Sequence, residues 1–142
     1  MSPLTKEFLS KRYPWLGEID QISIDSDWYQ IVIDAFDKID TVIKTTPYLQ
    51  IEIELGDRID ILQIKEKRAV LNIYVAIPFI EKYAYIMRSH LREAEDLSAK
   101  VCERCGDPGE RRCGTHWLLT LCDECWLGEK IRLEADDVNP TD

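Results

Sequence analysis

The chain has 142 residues, 45% of them hydrophobic, and a formal net charge of −9 with a pI near 4.7. That length suits one domain with a small appended module, and that hydrophobic fraction excludes wholesale disorder. The acidic balance disfavours generic affinity for phosphate backbones, and no apolar run approaches the roughly 18 residues of a membrane span.

The opening, MSPLTKEFLSKRYPW, has no continuous apolar stretch, so no secretory signal is expected and the cytoplasm of a bacterial host is the expected compartment. Ser2 as a cap, Pro3 at the first helical position and Pro14 as a stop predict a short helix over about 3–13. LGEIDQISIDSD reads as loop, with Asp25 or Asp27 capping the next helix. From Trp28 to Lys44, Ile31, Val32, Ala35, Phe36, Ile39, Val42 and Ile43 recur at three- and four-residue steps, which predicts an amphipathic helix closed by Pro47.

The period then changes to two. Leu49, Ile51, Ile53 and Leu55 alternate with Gln50, Glu52 and Glu54, and the pattern predicts a half-buried strand before a turn at Gly56-Asp57. RIDILQIK and AVLNIYVAI predict two more strands, with a second turn at Glu66-Lys67. Three strands over about 48–77 with tight turns predict an antiparallel meander. A long helix follows from Pro78, with Ile80, Tyr83, Ala84, Met87, Leu91, Ala94 and Leu97 as its buried stripe.

All five cysteines lie between Cys102 and Cys125. Cys102-x2-Cys105 and Cys122-x2-Cys125 flank a spacer with the spacing of a four-cysteine zinc site. Two residues between thiolates let a tight knuckle present both sulfurs to one ion, and Gly106 suits the left-handed backbone of such a turn. Turn residues at Gly114-Thr115 predict a short hairpin. CDECWLGEKIRLEA places the second pair at a helix start, whose dipole favours negative charge. Four thiolates fill the coordination sphere, so one structural Zn2+ on Cys102, Cys105, Cys122 and Cys125 is expected, in a treble-clef-like module. The odd cysteine count and the expected reducing compartment disfavour disulfides, whereas an iron–sulfur cluster fits the same spacing. Cys113, with His116, imitates a third ligand pair, but the outer pairs already complete the site. Cys113 therefore reads as a small hairpin residue and His116 and His90 as surface residues.

The sequence thus predicts an α+β fold: a domain over 1–98 with a three-stranded antiparallel sheet packed against helices, a zinc module over 99–134 and a disordered tail over 135–142. Net charge is −5 over residues 1–98, zero over 99–132 and −4 beyond.

The segments QIKEKRAVLNIYV, REAEDLSAKVCERCGDPGERR and HWLLTLCDECW, with RYP and SDWYQIV upstream, resemble a family of small uncharacterised phage and bacterial proteins with a C-terminal CExCGxPG…W…TLCDxC zinc module. The resemblance spans about residues 12–126. It implies metal ligation by the same four cysteines and a phage or mobile-element setting, but no activity. The expected function is non-enzymatic: a zinc-binding protein that binds another protein, as an inhibitor, anti-defence or immunity-type factor does. Its acidity favours a basic protein partner. The alternative is a nucleic-acid-binding zinc-finger regulator, with Arg104, Arg111, Arg112, Lys130 and Arg132 beside Trp117 and Trp126 as its patch. The module's zero net charge disfavours that alternative. Glu52 and Glu54, the candidate acids of an enzyme, read as a solvated sheet face.

Overall fold

In the computed structural model the described residues are 4–68, 70–102, 104–105, 107–113 and 118–138, excluding the side chains of Asp27, Arg111, Cys113, Leu118 and residues 132–138. Among them the protein is α+β, with a three-stranded mixed sheet and a separate two-stranded hairpin.

Helix α1 spans Lys6–Arg12, and its cap is Thr5, whose hydroxyl accepts from the Phe8 N–H at 3.0 Å. The expected cap, Ser2, and Pro3 lie outside the described residues. The segment expected to be loop is strand β1, Leu16–Ser23. It escaped the period-two test because its inward residues, Leu16, Ile19 and Ile22, fall three apart, with a bulge between Leu16 and Ile19. Gly17 allows the bulge: a Cβ there would stand 2.2 Å from Asp60 Oδ1, the atom that accepts the Glu18 N–H at 2.8 Å.

One 3-10 turn, Ser26–Trp28, leads into α2, Tyr29–Lys44, which buries Val32, Ala35, Phe36, Ile39 and Ile43. Asp25 stands at the cap of the 3-10 turn but makes no side-chain capping bond. The next element corrects the sequence reading. Residues 49–55 do not form a strand; Pro47–Glu54 is helix α3, with Pro47 in its first turn. Leu49 is fully buried while Ile51 is 53% exposed, a division that a one-sided strand does not permit. Helical geometry turns Leu49 and Ile53 toward the core and lets Tyr48 stack on Tyr83, ring centroids 5.3 Å apart. Gly56, at φ 110°, ends the element in a conformation favourable only to glycine.

Strands β2, Ile59–Lys67, and β3, Val70–Ala76, form an antiparallel hairpin. Glu66 and Lys67 are paired with Leu71 and Val70 rather than turning, and the reversal falls at Arg68, φ 56°. The sheet order is β1-β2-β3, and β1 runs parallel to β2. The expected all-antiparallel meander is therefore wrong: the sheet is mixed. The place beside β2 that the 49–55 segment was expected to fill belongs to β1, and α2 with α3 supplies the long crossover that a parallel pair requires.

Helix α4, Glu81–Ser98, starts three residues beyond Pro78 and buries Ala84, Met87, Leu91, Ala94 and Ser98. Tyr83 is half-buried, whereas Ile80 and Leu97, expected in the stripe, are exposed. Helices α2 and α4 pack together, and Val32, Phe36, Ile39, Met87 and Leu91 share one core with Ile61, Ile64, Leu71 and Ile73 of the sheet. Gln21, Gln63, Lys65 and Tyr74 lie on the opposite sheet face, partly or fully exposed. A second, much smaller core of Cys102, Leu121 and Cys122, flanked by Leu119, Cys125 and Trp126, belongs to the C-terminal segment.

Candidate metal centre

The chain leaves α4 and enters a tight knuckle. The Cys102 N–H donates to the Asp107 carbonyl at 2.7 Å, and the Gly109 N–H donates to the Lys100 carbonyl at 2.9 Å, closing the turn around Cys105. Gly109 is sterically required: a Cβ would lie 2.9 Å from both Cys102 N and Leu121 C, where the knuckle and the hairpin meet. Gly106, the glycine singled out from sequence, lies outside the described residues. Strands β4, Glu110–Cys113, and β5, Leu118–Leu121, then form the expected hairpin and return the chain to Cys122. Helix α5, Asp123–Val138, begins at once and carries Cys125 in its first turn. It continues past Glu134 into the segment expected to be tail; residues 139–142 lie outside the described residues.

This path brings Cys102, Cys105, Cys122 and Cys125 together, with their sulfurs all within 4.8 Å of one another and none in a disulfide. Four sulfurs about 2.3 Å from one tetrahedral ion stand about 3.8 Å apart. Cys105 and Cys122, at 3.5 Å, are already near that separation. Cys102 and Cys122 are buried, Cys125 half-buried and Cys105 exposed. The Cys125 N–H points at Cys122 Sγ, 3.4 Å away, so the backbone at the helix start supports a thiolate.

The thiols are polarised unequally. Burial opposes ionisation of Cys102, but backbone N–H groups of Cys122, Arg104 and Cys105 outweigh it and bring its pKa down to about 7. For Cys105 the Asp107 N–H favours the thiolate, yet partial loss of water at the sulfur and hydrogen bonds with Cys122, Cys102 and Cys125 prevail and raise the pKa. Hydrogen bonding to Cys122, then burial, pushes Cys125 up to about 11. Such a set binds a metal ion by releasing its thiol protons. The donor set fits a soft or borderline divalent ion.

No family model, curated protein or solved structure matches this chain.

The other candidate residues have different surroundings. The Cys113 backbone pairs with Leu118, while its side chain and all of His116 lie outside the described residues. Glu52 and Glu54 sit on α3, not on a sheet face. A hydrogen bond with Asp57 raises the Glu52 carboxyl above the ordinary carboxylate range. Sequence reasoning missed Glu129, whose side chain is 1% exposed and ion-paired with Arg104 at 2.7 Å. Its signal was present: Glu129 lies one helical turn beyond Cys125, on the face that closes over the knuckle. Arg112 is likewise engaged, donating to Asp123 at 2.7 Å and to the Leu121 carbonyl at 3.2 Å. The Arg112 guanidinium and the Lys130 ammonium each lie within about 6 Å of the Trp126 ring centre, at 5.9 and 6.0 Å. Two arginines of the supposed nucleic-acid patch therefore hold the module together.

Proposed function

We propose that this is a zinc-stabilised, non-enzymatic protein that acts by binding another protein. The observation that carries the metal half is the convergence of four cysteine sulfurs within 4.8 Å. Four thiolates on Zn2+ leave no position for a water or substrate, so the ion serves structure. Knuckle, hairpin and helix make the arrangement treble-clef-like.

The binding half rests on charge. A net charge of −9 raises the encounter rate with a basic partner and opposes a polyphosphate. Arg104 and Arg112, which a nucleic-acid reader would present outward, are committed to Glu129 and Asp123. An inhibitor, anti-defence or immunity-type role in a phage or mobile element, in the host cytoplasm, rests on the sequence resemblance alone. Among the described residues no helix is long and apolar enough to cross a membrane.

Two measurements test this reading. Purified protein should contain one zinc per chain by elemental analysis; iron with sulfide in its place would replace the zinc assignment. Duplex DNA should give no shift in a gel assay at physiological salt, and a sub-micromolar, salt-sensitive shift would promote the zinc-finger regulator instead.

A further inference from the structure

Strand β3 is one edge of the three-stranded sheet, and α4 runs beside that edge. An edge strand turns every second N–H away from its neighbour, and each such donor needs an acceptor. Helix α4 supplies two. The Leu71 N–H donates to Ser98 Oγ at 2.8 Å, and the Ile73 N–H donates to Glu95 Oε2 at 2.8 Å. Each step of two residues along β3 thus matches about one turn back along α4.

The next outward donor in that alternation is the Val75 N–H, since the bulge in the β2–β3 ladder falls on β2 and leaves β3 regular. Here the match fails. The turn of α4 beside Val75 carries Arg88, Leu91 and Arg92, and these line a cavity of about 150 Å³ together with Ile73, Val75 and Glu95. Among the described residues neither guanidinium has an ion pair or hydrogen bond, and α4 offers the Val75 N–H no acceptor of the kind that Ser98 and Glu95 give Leu71 and Ile73. Both arginines are exposed enough to swing over the opening. The Val75 N–H and the two guanidinium groups border a space whose one lining carboxylate, Glu95, already accepts from Ile73.

We propose that the cavity between β3 and α4 is a binding site for a carboxylate, held by the Val75 N–H and by Arg88 and Arg92. A planar, singly charged group matches the fork of a guanidinium, and one of its oxygens completes the edge pattern that Ser98 and Glu95 begin. The Glu95 carboxylate in the wall selects against a dianion such as phosphate by like-charge repulsion. Leu91 and Val75 give the ligand's first carbon an apolar seat. This site is separate from the cysteine centre and independent of it.

Amide NMR of the full-length, metal-loaded protein tests the assignment. Sodium acetate, titrated against chloride at matched ionic strength, should move the Val75 amide resonance saturably, with much smaller changes elsewhere. The double variant Arg88→Gln/Arg92→Gln should keep the rest of the spectrum and bind at least about tenfold more weakly. An acetylated trialanine with a free C-terminal carboxylate, compared with its amide, separates the possible sources. A response to the free acid alone assigns a polypeptide carboxylate as an acceptable ligand, and a response to acetate but to neither peptide confines the site to small free carboxylates. The proposal is overturned if Val75 does not saturate, if the double variant binds acetate as the parent does, or if inorganic phosphate binds more tightly than acetate.

Discussion

At the scale of single residues, the chemistry concentrates in four sulfurs and in one tyrosine–aspartate–arginine contact. Cys105→Ser or Cys122→Ser removes one of four thiolates, so each variant should lose its zinc and the order of the C-terminal segment, while Cys113→Ser should retain the metal. Elemental analysis of the three proteins decides the ligand set: full zinc in Cys122→Ser, or loss in Cys113→Ser, would reject it. Asp37 of α2 anchors α1. Its carboxylate accepts from Tyr13 Oη at 2.6 Å and from Arg12 Nη2 at 3.0 Å. Burial alone would raise the Asp37 pKa, but these donors lower it below the ordinary carboxylate value. A depressed folded-state pKa adds stability above the unfolded value near 3.9, and that stability disappears as pH falls through the folded value. Asp37→Asn should therefore cost about 1 kcal/mol at pH 7, a figure reduced for solvent screening. The melting point should drop by roughly 3 °C, and the gap should narrow as pH falls below the unfolded carboxylate value near 3.9. An equal gap at pH 7 and at pH 2.5 would show that the charge is not the cause.

At the scale of elements, α3 is the instructive case. An alternating apolar run of seven residues satisfies a strand template, but a strand gains stability only from a neighbour's ladder. The place beside β2 goes to β1, and the 47–54 segment instead closes a helical turn on the core. The two readings predict different mutational costs. In the strand reading Leu49 and Ile51 share a buried face. In the helix, Leu49→Ala should cost about 2–4 kcal/mol, whereas Ile51→Lys should change stability by less than about 0.5 kcal/mol. Urea unfolding of both variants checks this, and a large loss for Ile51→Lys would restore the strand. Gly17 has a comparable influence on β1: the strand's bulge relies on the space that its missing Cβ leaves beside Asp60.

At the scale of the whole molecule, the chain has two unequal cores. The larger joins the sheet to α1 through α4. Among the described residues, the smaller consists of Cys102, Leu121 and Cys122 with a few partly buried neighbours, a small apolar surface for a segment of this length. On the proposed zinc reading, a structural ion would contribute on the order of 10 kcal/mol, and the smaller core would depend on it. Chelation should abolish the dispersed resonances of β4, β5 and the start of α5 and leave those of β2, β3 and α2 in place. Loss of the entire spectrum on chelation would mean that the ion supports both cores.

What the sequence determined by itself was local. The stripes of α2 and α4 follow from a 3.6-residue period over sixteen and eighteen residues, long enough that chance alternation does not imitate it. The β2–β3 hairpin follows from two adjacent runs and a short reversal, and the cysteine cluster follows from ligand spacing, which a knuckle satisfies within four residues. The tertiary structure decided whatever depends on distant partners. It decided that 16–23 pairs with 59–67 in parallel, that 47–54 coils because that place is filled, and that Arg104 faces Glu129 instead of a ligand. The physical reason is the same each time. A short apolar run is compatible with several conformations of nearly equal intrinsic cost, and the partner that buries it selects one.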